Sequence, residues 1–306
     1  MASARLHTGN RTLDTDLSTP PILCYHKVDT RAELGVTRLG PRVFRRQMET
    51  LAKRGYQALG SAELYHLLTG GGVAGQGLGL SPLSPPSPPS PPRLLLTFDD
   101  GYEPLARYAF PVLADLGFRA LVFVVTDFVG RDNDWDVHYG WRRFRHLSWD
   151  DLARWQERGI EVHSHSATHA RLTWVSDARV ADELGRSREA IAQRLGALPA
   201  GISYPFGTVD ARVLGLAAAA GYTLGFAGPA GLAGLPTAGG DEAARAGTLA
   251  LCRRPVYAWD AFSDPWVLRE GVAGKFARGV ARLTNRIAVG TAFFQRLLGG
   301  RYTASQ

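Results

Sequence analysis

The chain has 306 residues, 45% hydrophobic and 21% charged, which is enough apolar material for one principal core and excludes a disordered chain. A net charge of +7 and a pI near 9.7 favour an anionic neighbour without choosing between a membrane surface, nucleic acid and an acidic polymer. The only two cysteines, Cys24 and Cys252, exclude a disulfide framework, and their apolar, strand-like settings read as buried, reduced thiols.

Residues 1–19 read as a flexible polar N-terminus carrying Arg5, Arg11, Asp14 and Asp16, with no continuous apolar segment of the secretory kind. No run elsewhere is long enough to span a bilayer as a helix. The expectation is cytoplasmic residence, with contact at the inner membrane surface left open. Residues 21–28 predict a short buried strand. Residues 41–54 have helical periodicity through Phe44, Met48 and Leu51 before Gly55, and a second helix follows over 61–68. Residues 70–92 are low in complexity, glycine-rich and then Ser/Pro-rich, with little to bury, and read as an exposed loop or spacer. They lack the Gly-Lys-Ser/Thr ending of a phosphate loop.

Beyond the spacer, strands and helices alternate. Strands are expected at 94–98, 119–125, 160–164, 201–204 and 222–227, and helices at 104–116, from Ser148 to Gly159, at 176–195 and at 210–220. The pattern is α/β with parallel-sheet character, which places active groups at the C-terminal ends of strands. Asp99, Asp100, His165 and the Pro205-Phe206 pair all fall there.

Two motifs carry chemistry. Thr97-Phe98-Asp99-Asp100-Gly101 sets two carboxylates side by side at a strand end, where the pleat sends them to opposite sides. His165-Ser166-Ala167-Thr168-His169 spaces two imidazoles four apart, so a helical turn there would project both to one side. One aspartate and two histidines leave open coordination positions on a cation, which is how a catalytic zinc is held. A water on such a cation becomes a nucleophile near neutral pH. The HExxH protease signature is absent, because Ser166 follows the first histidine, so the general base comes from elsewhere, with Asp99 the obvious supplier.

These residues resemble the polysaccharide deacetylase family, also called the NodB homology or carbohydrate esterase family 4 domain. The resemblance implies a distorted (β/α) barrel over 20–262, including the 70–92 loop, and hydrolysis of the acetyl group of an N-acetylated, less often O-acetylated, sugar in a polysaccharide or lipid-linked glycan. By correspondence with the first motif, Asp99 is the catalytic base and Asp100 a metal ligand. HSATH is similar to the second motif, whose histidines, here His165 and His169, complete the metal triad; Ser166 steadies the loop. Ser203-Tyr204-Pro205-Phe206-Gly207 resembles the third motif, in which the backbone N–H of Phe206 would face the oxyanion. Zinc is the expected ion, with cobalt or nickel as substitutes.

The chain departs from the family pattern in several places. No histidine follows Tyr257, so the usual proton-donating histidine near the C-terminus is absent. The segment from Ile22 to Val28 looks like the strand that carries it in the circularly permuted branch of poly-N-acetylglucosamine deacetylases, which assigns the role to His26. Ser203 stands where the third motif has an arginine that holds the base. Arg253 or Arg254 could replace it, Arg253 preferred. The fourth motif has only a loose echo in Trp259-Asp260. His163 is expected to pack or to support the ligands, and Trp135, Asp136, His138, Tyr139 and Trp141 either stack on sugars or cover the barrel mouth.

Residues 263–306 read as a basic amphipathic helical extension. Phe276, Val280, Leu283, Ile287, Phe294 and Leu298 fall on one face, and Lys275, Arg278, Arg282, Arg286 and Arg296 on another. Two readings stand: packing on the barrel, or peripheral membrane contact through 275–298 on an anionic leaflet. The partner implied by the resemblance is a carbohydrate. Nucleic acid is not expected, because the basic residues cluster on this terminal helix. The rival to an enzyme is a carbohydrate-binding pseudoenzyme on the same barrel.

Overall fold

A computed structural model describes residues 19–31, 37–70, 90–133, 144–229, 231–232 and 247–257. Along them run β1 (Ile22–Tyr25), β2 (Lys27–Val28), β3 (Arg38–Leu39), α1 (Pro41–Lys53), β4 (Gln57–Ala58), α2 (Ser61–Leu68), β5 (Arg93–Phe98), α3 (Pro104–Tyr108), α4 (Phe110–Asp115), β6 (Ala120–Val124), α5 (Trp149–Gln156), β7 (Ile160–Ser164), α6 (Asp177–Leu195), β8 (Gly201–Ser203), α7 (Ala211–Ala219), β9 (Leu224–Ala227), β10 (Leu251–Cys252) and β11 (Arg254–Pro255).

The main sheet runs β10-β9-β8-β7-β6-β5-β1-β11, with β4 beside the start of β5, and the pairs are parallel. Its two edges are one stretch of chain. β10 pairs with β9 through Leu251 and Phe226, β11 pairs with β1 through Arg254 and Leu23, and Arg253 alone lies between them. The Arg253 N–H donates to the Ala227 carbonyl at 3.0 Å and the Val256 N–H to the Cys24 carbonyl at 2.9 Å. One short segment thereby bridges β9 to β1 and nearly closes a (β/α) barrel.

The two-residue side-chain period sorts each strand. On β5, Leu94, Leu96 and Phe98 join an outer core with Phe44, Met48, Leu51, Phe110 and Leu113 of the helices. Leu95 joins Ile22, Leu121, Phe123, Leu224, Phe226 and Leu251 in a separate cluster that fills the barrel. Each fully buried Leu or Phe contributes about 1.5–3 kcal/mol. Further along the same strands the buried residues turn polar: Thr97, His163, Ser203 and Arg253.

Several expectations are corrected in detail. Residues 104–116 form two helices, not one, broken at Ala109 (φ −102°, ψ −56°), because Pro111 has no N–H to continue the ladder. The strand over 21–28 divides at His26 into β1 and β2, which belong to different sheets. Cys24 is buried, but Cys252 is exposed, since the side chain of its neighbour Arg253 takes the inward position. The capped start at Ser148 is present: Ser148 Oγ accepts the Asp151 N–H at 3.1 Å and Asp151 Oδ2 accepts the Ser148 N–H at 3.1 Å, a reciprocal cap. No helix among the described residues is long and apolar enough to cross a membrane. Residues 71–89, the aromatic stretch from Trp135 to Trp141, Trp259-Asp260 and the basic stretch 275–298 lie outside the described residues.

Candidate metal centre and active site

The site lies where β1, β5, β7, β8 and the β10–β11 bridge end. After β5 the backbone enters the left-handed region twice, at Asp100 (φ 67°) and Gly101 (φ 68°). A Cβ at Gly101 would stand 2.8 Å from Val124 Cγ1, so the motif needs glycine there. The left-handed turn at Asp100 leaves the strand's pleat: Asp100 Oδ1 lies 3.5 Å from His165 Nε2, while Asp99 groups with Cys24 and His26. His146 fixes that bend from outside, its buried ring stacked on Tyr102 at 4.9 Å and its Nδ1 2.7 Å from the Asp100 carbonyl oxygen.

The segment after β7 does not turn helically. Ser166 (φ 66°) and His169 (φ 62°) are themselves left-handed, and local hydrogen bonds hold these costly conformations. Ser166 Oγ accepts the His169 N–H at 3.0 Å, Ser164 Oγ accepts the Ser166 N–H at 3.1 Å, and buried Glu183 of α6 accepts the Thr168 N–H at 2.8 Å. Together with Asp100 and Phe206, these are the non-glycine residues with positive φ among the described residues, and all four belong to this site.

Asp100 Oδ1 lies 3.5 Å from His165 Nε2 and 3.6 Å from His169 Nε2, and the three donor atoms lie within 4.8 Å of one another. A tetrahedral zinc with ligands at roughly 2.0–2.2 Å separates its donors by about 3.4 Å, so the donor set fits such an ion. His165 Nδ1 lies 2.7 Å from the Ser203 carbonyl oxygen, which assigns the proton to Nδ1 and directs the Nε2 lone pair at the centre. Burial pushes His165 and His169 below the ordinary histidine range, toward the neutral form that ligates.

Asp99 is 3% exposed and held bidentately by Arg253, with Nη1 to Oδ1 and Nη2 to Oδ2 both at 2.7 Å. Arg253 also donates to Ser203 Oγ at 2.8 Å. Ser203 thus receives on its side chain the arginine that its position lacks. Burial alone would raise the Asp99 carboxyl; the charge of Arg253, then that of His165 and the arginine's hydrogen bonds, outweigh it and hold the group well below the carboxylate range. Cys24 Sγ stands 3.6 Å from Asp99 Oδ2, and Cys24, His26 and Asp99 place donor atoms within 4.8 Å of one another. Burial lowers His26 to about 4, against the raising effect of Asp99.

Phe206 (φ 61°, ψ 10°) follows Pro205 in a short turn, its ring 4.8 Å from that of His169. His163 stays below the site: its Nδ1 accepts the Gly201 N–H at 3.3 Å, its Nε2 lies 3.5 Å from Glu161 Oε2, and its ring meets Phe123. The structure therefore brings together Asp99, Asp100, His165, His169, His26, Phe206 and Arg253. Sequence reasoning missed His146, whose only signal was its place just before the Ser148 cap, and the contact of Cys24 with Asp99.

The nearly closed barrel of parallel strands is a fold of the NodB type, and two carboxylates, two histidines and a buried arginine gather at its C-terminal mouth. Residues 87–225 match the family model described as polysaccharide deacetylase. YxkH of Bacillus subtilis (strain 168), whose name classes it with the polysaccharide deacetylases, is 26% identical over 205 residues, 67% of this chain and 63% of that protein. The chain thus spans about 63% of the length of that curated relative. Two solved structures share the fold: the Streptococcus pyogenes deacetylase PplD, in complex with acetate (TM-score 0.59, 22% identity, 78% of this chain and 92% of that one), and IcaB from Ammonifex degensii (TM-score 0.59, 21% identity, 80% and 94%).

Proposed function

We propose that this protein is a metal-dependent hydrolase that removes acetyl groups from N-acetylated sugars of a polysaccharide or lipid-linked glycan. The observation that carries the reading is the convergence of Asp100, His165 and His169 beside a base, Asp99, clamped by Arg253. Asp100, His165 and His169 would hold a divalent cation, zinc first and cobalt or nickel as substitutes, which would lower the pKa of a bound water and polarise the acyl carbonyl.

The chain's own groups do the rest. Asp99 is ionised throughout the neutral range and takes the proton of the attacking water, while Arg253 fixes the direction of its lone pairs. The Phe206 N–H, presented by its left-handed backbone, faces the developing oxyanion. His26, whose ring nitrogen lies within 4.8 Å of an Asp99 carboxylate oxygen, takes that proton from Asp99 and delivers it to the leaving amine. Burial keeps it neutral in the resting site, so its protonation depends on the negative charge that develops during the reaction. Water and acetamide become acetate and a free amine.

A serine at position 203, where the third motif has an arginine, would favour a pseudoenzyme; the Arg253–Asp99 pair favours the enzyme. Acetate release from an N-acetylglucosamine oligomer, with chelator and then with zinc restored, tests the proposal. Release abolished by chelation and recovered with zinc is expected. Bound oligomer with no acetate under any metal would return the pseudoenzyme.

A further inference from the structure

Two residues beyond His169, at the rim of the site, Arg171 is stacked between two aromatic rings. Its guanidinium carbon lies 5.0 Å from the centre of the Phe206 ring and 4.3 Å from that of Trp174. Phe206 is itself 4.8 Å from the His169 ring. Trp174 is 47% exposed, so the row His169, Phe206, Arg171, Trp174 runs from the candidate metal centre out to solvent.

Arg171 Nε and Nη2 are buried atoms with no hydrogen-bond partner among the described residues. The carboxylates of Asp177 and Asp210, at the starts of α6 and α7, face Arg212, at 2.8 and 4.0 Å. Withholding an acceptor from two buried donors costs free energy. An apolar side chain would fill the gap between two rings without that cost. A planar fork held rigid by stacking suits a carboxylate or phosphate, which it can take bidentately.

We infer that Arg171 and Trp174 form a substrate subsite that selects glycans bearing an anionic group, Trp174 offering a face for a sugar ring and Arg171 binding a carboxylate or phosphate next to the acetylated residue. The inference rests on the deacetylase reading and names its substrate class.

The test uses three oligosaccharides: a neutral N-acetylglucosamine trimer, one in which a uronic acid alternates with N-acetylglucosamine, and a trimer carrying a phosphate monoester. The wild type is expected to favour at least one anionic oligomer over the neutral one by about tenfold in kcat/KM, through KM. The preferred oligomer decides between carboxylate and phosphate. Arg171→Met should bring the ratio close to one, and Arg171→Lys, which keeps the charge but not the planar fork, should leave an intermediate ratio. A wild-type ratio near one, or one that Arg171→Met leaves unchanged, overturns the subsite. If the wild type releases acetate from none of the three, the deacetylase reading falls separately, and calorimetry with the anionic oligomers decides the subsite. Binding lost in Arg171→Met upholds it, and equal binding by both proteins refutes it.

Discussion

Arg253 grips Asp99 through two parallel hydrogen bonds of 2.7 Å across 154 positions of sequence, from the one residue that separates β10 from β11. The residue that joins the two edges of the sheet is therefore also the one that holds Asp99, the proposed base. Barrel closure and base orientation are a single structural event.

Removing one partner of such a buried pair leaves an uncompensated charge, at a cost of about 3–5 kcal/mol. Arg253→Met is expected to lose stability on that scale and nearly all turnover. Combining it with Asp99→Asn should restore part of the stability. A double-mutant cycle by urea denaturation reads the coupling, and strictly additive losses would mean that the pair is energetically idle.

His146 holds Asp100, a proposed metal ligand, through its backbone carbonyl. Burial lowers His146 to about 4, so at pH 7 the ring is neutral and Nδ1 donates its proton to the Asp100 carbonyl. His146→Ala should weaken zinc binding by about 10–100-fold. Competition with a chromophoric chelator measures this, and unchanged affinity would show that the Asp100 bend stands without it.

Glu161 gives a pH signature away from the catalytic groups. Burial would raise it, but hydrogen bonds from His163 and from Ser61, whose N–H lies 3.0 Å from Oε2, bring it from 4.5 to about 2, and Arg119 Nη2 lies 2.7 Å from Oε1. A carboxylate depressed on folding stabilises fully above its unfolded pKa and loses that contribution as pH falls through the folded one. Its share of stability should therefore vanish between pH 4.5 and about 2. Glu161→Gln should flatten that part of the stability-against-pH curve. Parallel curves for the two proteins would contradict the assignment.

The two thiols should differ in reactivity. Burial pushes Cys24 far above the ordinary thiol range, while Cys252 is exposed. A thiol reagent should modify Cys252 in the native protein and reach Cys24 only after unfolding. Peptide mapping of the labelled chain checks the order, and comparable labelling of both thiols would place Cys24 outside the core.

Much of this was legible because it is local. Continuous apolar runs marked the buried parallel strands, Ser148 and Ser176 marked the helix starts, and the close spacing within 97–101 and 165–169 kept the ligands recognisable. The turns between ligands were not legible. The left-handed backbone at Asp100, Ser166 and His169 is imposed by partners such as Glu183 and His146, which lie at a distance in sequence. The same limit hid the outward face of Cys252, which depends on how the barrel closes, whereas the break at Ala109 carried a local signal in Pro111.

The central claim is that Asp100, His165 and His169 hold a cation while Asp99 moves the proton, and metal content measured beside acetate release in two variants tests it most directly. Asp99→Asn should keep about one zinc per chain and lose acetate release, whereas His165→Ala should lose both. Full turnover by Asp99→Asn, or a full complement of zinc in His165→Ala, would contradict the account.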